Sequence, residues 1–330
     1  MRILVTGAAG MIGRKLADRL AADGQVGGRD IASLTLTDVV TPAAPAGFDG
    51  QVDVGTADIA EPGVAARLIA GRPDLIFHTA GIVSGEAEND LEKGYRVNLD
   101  GSRLLFDALR RESESQPYKP RLVFTSSIAV FGPPFPDRIG DDFLLAPLTS
   151  YGTQKAMVEQ MLSDYTRRGF IDGVGLRLPT ICIRPGKPNK AASGFFSNIL
   201  REPLAGQEAV LPVSEDVRAW HASPRAAIGF LLHAATLDSD ALGVRRNLNM
   251  PGLSATVGEQ IAALRRAAGD AAVRLIRREP DPAIIRMVDS WPRAFDPARA
   301  LALGFRADNS FDDIIRHHMD DALATDAPST

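Results

Sequence analysis

The sequence predicts an α/β fold: a doubly wound parallel sheet, with a smaller mixed α/β region at its C-terminal side. Three observations carry this. A strand, a glycine turn and a helix open the chain, with Ile3, Leu4 and Val5 followed by Gly7, Gly10 and Gly13 and then by Leu16 and Leu20 at helical spacing. Strand-like and helix-like stretches then alternate up to about residue 183, the pattern of a parallel sheet covered on both faces. From Arg184 onward prolines recur, at 203, 212, 224, 251, 280, 282, 292 and 297, and the elements shorten. The division is therefore set at residues 1–183 for a nucleotide-binding unit and 184–330 for a smaller substrate-binding region with some return to the first.

The opening turn is the most specific stretch. Gly7 permits a tight turn, Gly10 lets backbone approach a pyrophosphate, and Gly13 lets the helix pack closely on the strand. The helix N-terminus, with Met11 and Ile12, meets the negative charge. This is a Rossmann-like dinucleotide site, spaced G-x-x-G-x-x-G. Ala32 to Asp38 reads as a second strand ending in an acid. A carboxylate there accepts from the ribose hydroxyls and repels a 2′-phosphate, so the expected cofactor is NAD. A proline- and glycine-rich surface loop follows at Thr41–Gly47.

The next elements are expected as a strand ending over Asp53–Ile59, a short helix over Glu61–Ala70, and a strand over Asp74–Gly81 ending in the small residues Thr79, Ala80 and Gly81. His78 in that strand reads as structural. A single long helix is expected over Asp90–Glu114, apolar nearly all round at Tyr95, Val97, Leu99, Leu104, Leu105, Phe106 and Leu109, with Asn98 as a polar residue inside it. Arg121–Ser127 is a fifth strand ending in hydroxyls. Ser150 is expected to cap a helix over Tyr151–Arg168, and a sixth strand runs over Val174–Ile181. Arg184–Lys190 reads as a basic loop, His317-His318 as a solvated pair, and Ala324–Thr330 as frayed.

Composition bounds the function. Apolar residues make up 45% and charged residues 24%, and the net charge is −4, so no basic surplus argues for nucleic acid. No leader precedes the first strand, and no apolar run reaches membrane-spanning length. The single cysteine, Cys182, lies in an apolar run and reads as a buried structural thiol. A cytoplasmic protein acting on a small molecule, without a metal, fits these observations.

Tyr151, Lys155 and Ser127 form the second strong signal. Tyr151 and Lys155, at i and i+4, share a helix face. A free tyrosine, with pKa about 10, is a poor base at neutral pH, and a lysine cation one turn away stabilises its phenolate. Tyr151 can then take the proton of a substrate alcohol while Ser127 holds the same oxygen.

With these motifs, together with Asp58-Ile59, His78–Gly81, Ser126–Gly132 and Val217–His221, the sequence resembles the extended short-chain dehydrogenase/reductase family, which includes UDP-galactose epimerase and its relatives. The likeness runs from Met1 to about Asp240. It implies an NAD-dependent enzyme with Ser127, Tyr151 and Lys155 as catalytic residues. It also implies Asp58 and Ile59 at the adenine, and Ala80 and Asn98 beside the cofactor near the active site. Members of this family often pair the two helices carrying Asn98 and Tyr151 into a homodimer interface, here expected to use Met157, Val158, Met161 and Leu162. The departures bear on substrate. Arg177-Leu-Pro-Thr180 replaces the Arg-Tyr-Phe-Asn of nucleotide-sugar members, Phe131 replaces a tyrosine, and Ile128 and Ala129 stand where dehydratases carry an acid pair. Leu176–Gly186 looks more like the D-erythronate dehydrogenase branch. That implies oxidation of a small sugar acid at its 2-hydroxyl. Around the expected site Arg184 and Arg218 are candidate partners for the carboxylate, because a guanidinium grips one in two parallel hydrogen bonds, and Ser126, Ser127, Thr180 and His221 are candidates for the remaining hydroxyls. A nucleotide-sugar epimerase with tightly bound NAD is the alternative, and a non-catalytic NAD-sensing regulator is a third reading.

Overall fold

A computed structural model describes residues 1–186 and 193–326. Seven parallel strands form the central sheet. Six follow the chain: β1 (Arg2–Thr6), β2 (Ser33–Asp38), β3 (Gln51–Thr56), β4 (Leu75–His78), β5 (Arg121–Ser127) and β6 (Asp172–Leu178). Strands β7 (Thr180–Ile181), β8 (Ala209–Leu211) and β9 (Arg218–Ala222) lie outside it, and β10 (Asn247–Asn249) returns to pair with β6. The order across the sheet is β10-β6-β5-β4-β1-β2-β3, with every pairing parallel. Chain direction across the sheet reverses between β1 and β4. A ligand crevice in such a fold opens at that point, above the carboxyl ends of the strands.

The strands are apolar because both faces are covered. Ile3, Val5, Leu34, Leu36 and Phe77 pack beneath α1 (Met11–Asp23), while Leu4, Ile76, Leu122 and Phe124 face the opposite side with α3 (Gly101–Ser115) and α4 (Ser150–Arg167). Between these, α2 (Val64–Ile69) follows β3. The later helices α5 (Gly194–Leu204), α6 (Pro224–Thr236), α7 (Val257–Val273), α8 (Pro282–Asp289) and α9 (Phe311–Asp326) belong to the second half of the chain. Of these, α6 returns to cover the β1 side of the sheet through Ala227, Phe230 and Leu231. Helices α5, α7 and α9 enclose a separate core around Phe196, Ile199, Leu264 and Ile315.

Several boundaries differ from the sequence reading, each for a local reason. Strand β3 ends at Thr56, so Asp58 and Ile59 lie in the turn beyond it. Gly63, at φ +82°, delays the start of α2 to Val64. The helix expected from Asp90 is broken: Leu91–Gly94 is helical, Tyr95–Asp100 forms a wider π-helical turn, and α3 begins at Gly101. Thr149, not Ser150, caps α4, its hydroxyl accepting from the Gly152 amide at 3.1 Å. Strand β6 stops at Leu178, and after Pro179 the pair Thr180–Ile181 joins a different, three-stranded sheet. His317 and His318 are half-buried and so only partly solvated, with His317 Nδ1 3.2 Å from Asp308. The expectations for Lys187–Lys190 and for 327–330 lie outside the described residues. Among the described residues, no helix is long and apolar enough to cross a membrane, and no cluster of His, Cys, Asp and Glu can hold a metal. Cys182 is fully buried, and burial pushes its thiol up to about 12.

Candidate active site

A cavity of about 630 Å³ opens above the carboxyl ends of the strands, running from Gly7, Gly10 and Gly13 past Ser127, Tyr151 and Lys155 to Thr180 and Arg184. Its floor at the glycine turn has no room for side chains. Gly7 sits at φ +76°, and a Cβ there would fall 2.5 Å from the Ala80 amide nitrogen; at Gly13 one would fall 2.1 Å from the Gly7 carbonyl. Met11 and Ile12 open α1 beside this floor. The turn leaves a backbone-lined cradle at a helix N-terminus, a fit for a pyrophosphate. Asp38 closes the end of β2, accepting from the Ala9 amide at 3.0 Å and the Val39 amide at 2.7 Å, so its carboxylate is fixed beside that turn. Asp58 pairs with Arg96 at 2.6 Å; burial pushes its carboxyl up, but the bonds from Arg96 and the Ala60 amide hold it below the usual range. Ile59 is buried against Gly101.

Farther along the cavity, Tyr151 and Lys155 project from α4 toward the end of β5. Burial raises the Tyr151 phenol above its ordinary value, and Ser127 beside it and the nearby Arg184 charge offset only part of the rise. Ser127 Oγ also accepts from the Ala129 amide at 3.1 Å, which orients the hydroxyl. Lys155 Nζ donates to the Thr125 carbonyl at 2.9 Å and lies 5.7 Å from the Tyr151 ring centroid. Burial lowers the ammonium to about 8, with Glu159 opposing the fall. Asn98, held in the π-helical turn, accepts from the Ile82 amide at 2.9 Å and donates to Gln154 at 2.8 Å, which sets the loop after β4 against α4. His78 is sealed between Thr6 and Ser102, at 2.7 and 2.9 Å, with its pKa lowered by burial to about 3.

The substrate candidates divide. Ser127, Thr180 and Arg184 line the cavity. Ser126 also borders it, but its hydroxyl is turned to Glu159 at 2.5 Å. Arg218 is not among the lining residues; it donates to the Ser254 carbonyl at 2.8 Å and pairs with Glu259 at 3.3 Å. His221 is fully buried between Phe196 and Phe311 and bonded to Gln260 at 2.9 Å. Arg184 donates Nε to the Ile181 carbonyl at 3.0 Å and Nη2 to Ser193 Oγ at 2.7 Å, and among the described residues no carboxylate pairs with it. The sequence reading missed Ser193, Ser197 and Asn198 beside it, and Met287, Ser290 and Trp291 at and beyond the end of α8. No motif marks these positions, which lie 40 to 140 residues beyond Tyr151.

Comparison with known proteins bears on this geometry. Residues 3–236 match the model of the NAD dependent epimerase/dehydratase family. This chain belongs to that family. As a member of the family it is an NAD-dependent enzyme of the extended short-chain dehydrogenase/reductase type. It is 47% identical over 327 residues to D-erythronate dehydrogenase of Cupriavidus necator, covering 98% of this chain and 99% of that protein. The identity to D-erythronate dehydrogenase of Haemophilus influenzae is 42% over 320 residues, covering 97% and 99%. A crystal structure described as a nucleoside-diphosphate-sugar epimerase of Agrobacterium tumefaciens superposes with a TM-score of 0.96 at 63% identity, covering 98% of this chain and 95% of that one. The glycine cradle, the Asp38 carboxylate and the open space beside Tyr151 fit the family's cofactor, NAD.

Proposed function

We propose that this enzyme oxidises the 2-hydroxyl of a small sugar acid such as D-erythronate, with Tyr151 as base assisted by Lys155 and Ser127. The observation that carries this reading is Arg184: a half-buried cation without a carboxylate partner among the described residues, lining the same cavity as Thr180 and close enough for its charge to act on Tyr151. Burying an unpaired charge is costly, and a site that keeps one is built for an anion. A guanidinium grips a carboxylate by charge-assisted bonds. With that carboxylate held near Tyr151, the adjacent hydroxyl is the one that falls within reach of the phenol.

NAD, when bound, supplies the acceptor for the hydride that leaves C2. Tyr151 Oη takes the hydroxyl proton, Ser127 Oγ holds the substrate oxygen, and the Lys155 ammonium favours the phenolate. Gly7, Gly10, Met11, Ile12, Gly13, Asp38, Asp58, Ile59, Ala80 and Asn98 form or support the cofactor groove. Residues 1–183 serve as the cofactor unit, and 184–330 supply the substrate wall through Arg184 and its neighbours. The two full-length D-erythronate dehydrogenase relatives support the substrate class.

The Agrobacterium structure's description favours a second reading, a nucleotide-sugar epimerase. Incubation with free NAD and a panel of four- to six-carbon sugar acids separates them. NADH accumulating with D-erythronate or a close relative, with UDP-glucose left unchanged, is the expected result. Interconversion of UDP-glucose and UDP-galactose with a silent acid panel replaces this reading by the second.

A further inference from the structure

Helix α4 carries more than the tyrosine and lysine. Tyr151, Lys155 and Glu159 stand at i, i+4 and i+8, a single stripe facing the end of β5. Each meets a group on one of three consecutive residues of that strand. Tyr151 lies beside Ser127, Lys155 donates to the Thr125 carbonyl at 2.9 Å, and Glu159 Oε1 accepts from Ser126 Oγ at 2.5 Å. Glu159 has no exposed surface and is clamped from behind by Arg177 of β6. The Arg177 Nε donates at 3.0 and 3.1 Å and its Nη2 at 2.7 Å, while Nη1 reaches Asn249 of β10 at 3.1 Å. Arg177 also lies over the Phe131 ring at 4.9 Å.

A buried ion pair of this kind is a poor source of stability, because apolar residues of similar volume usually do as well. Its position suggests another use. Lys155 is buried, its one hydrogen bond among the described residues goes to a carbonyl, and no carboxylate touches it. The charged or titratable groups around it are few. Tyr151 and Glu159 share its helix, His78 on β4 is neutral, Arg177 lies behind Glu159, and Arg184 lies across the cavity beyond Tyr151. Glu159 is therefore the negative charge on the lysine's own helix face, one turn away.

We propose that Glu159 is a positioning residue for the active site: its charge keeps buried Lys155 an ammonium ion, and its bond to Ser126 fixes the strand end that presents Ser127. The proposal rests on reading Tyr151, Lys155 and Ser127 as the reacting groups, but its test needs no substrate. Burial alone drives Lys155 down and Glu159 opposes this. Arg177 anchors Glu159 and offsets part of its field, leaving Glu159 as the charge that acts on Lys155.

The test is a titration of the lysine side chains by carbon-13 NMR in protein labelled at lysine, which has six such residues. The Lys155 signal is identified by its loss in Lys155→Arg. The wild-type midpoint is expected near 8. Glu159→Gln keeps an acceptor for Ser126 and Arg177 but removes the charge, and its Lys155 midpoint is expected to fall by about one pH unit. Ser126→Ala keeps the charge and breaks only the strand bond, so its midpoint is expected to match the wild type. If Glu159→Gln does not fold, as judged by near-ultraviolet circular dichroism, the neutral pair Glu159→Gln with Arg177→Gln takes its place, with a midpoint still below the wild type. A folded charge-removing variant with the wild-type midpoint overturns the proposal. So does a fall in Ser126→Ala as large as that in Glu159→Gln, which assigns the effect to repacking.

Discussion

Tyr151 and Arg184 divide the proposed chemistry between a proton and a charge. Tyr151→Phe removes one oxygen and leaves the ring in place. Turnover is expected to fall about 10²- to 10⁴-fold, with NAD affinity retained. Near-normal turnover in that variant removes Tyr151 from the mechanism. Arg184→Met keeps an unbranched apolar stem and removes the charge. It is expected to lower kcat/KM for the acid about 100-fold, while NAD binds as before. A variant unchanged toward the acid locates the carboxylate elsewhere in the cavity. The two residues were not equally legible. Tyr151 and Lys155 are four apart on one helix, so local periodicity places them on one face. In the sequence Arg184 and Arg218 are equal candidates for the carboxylate and His221 a candidate for a hydroxyl, and only the fold separates them. Arg218 lies at the start of β9, on Glu259 and the Ser254 carbonyl, and His221 is sealed among aromatic rings. Sequence spacing carries no information on which way a strand residue so far from the motif faces.

At the scale of elements, the first strand, glycine turn and α1 were legible because their signals are local. The π-helical turn at Tyr95–Asp100 was not, since apolar residues at helical spacing look the same with one residue inserted per turn. That turn matters, because it sets Asn98 between Ile82 and Gln154. Helices α3 and α4 also carry the proposed homodimer. Of the residues expected at the interface, Val158 and Leu162 are fully buried in the chain's own core, whereas Met157 and Met161 are half-buried, as are Leu104 and Ala108 of α3. The outer face is thus narrower than the sequence suggested. Light scattering is expected to give about twice the 35.3 kDa chain mass. Met161→Glu, which places a charge on that face, is expected to shift the protein toward the monomer. A wild-type mass of one chain at working concentration sinks the pairing.

At the scale of the whole molecule, the two halves share a device that ties stability to pH. His78 on β4 and His221 on β9 are both fully buried, one in the central sheet and one in the second core. Burial lowers each to about 3, with Lys155 adding to the effect on His78 and Arg184 to that on His221. An unfolded histidine titrates near 6.5. Between about 6.5 and 3 the unfolded chain therefore binds protons that the folded chain refuses, and stability falls as pH falls through that window. Each group contributes up to about 1.4 kcal/mol per pH unit, so the pair predicts a loss of about 4 kcal/mol between pH 7 and pH 5. Carboxylates held low by their partners, such as Asp58 and Asp312, act mainly below that range, whereas His318, also lowered by burial, adds to the loss inside it. Urea unfolding at pH 7 and pH 5 measures the loss directly. His221→Asn is expected to be less stable at pH 7 yet to lose about 2 kcal/mol less on acidification, because one titrating ring is gone. A wild-type midpoint that stays level from pH 7 to pH 5 means that the rings accept protons inside the fold, which contradicts their sealed positions between Thr6 and Ser102 and between Phe196 and Phe311.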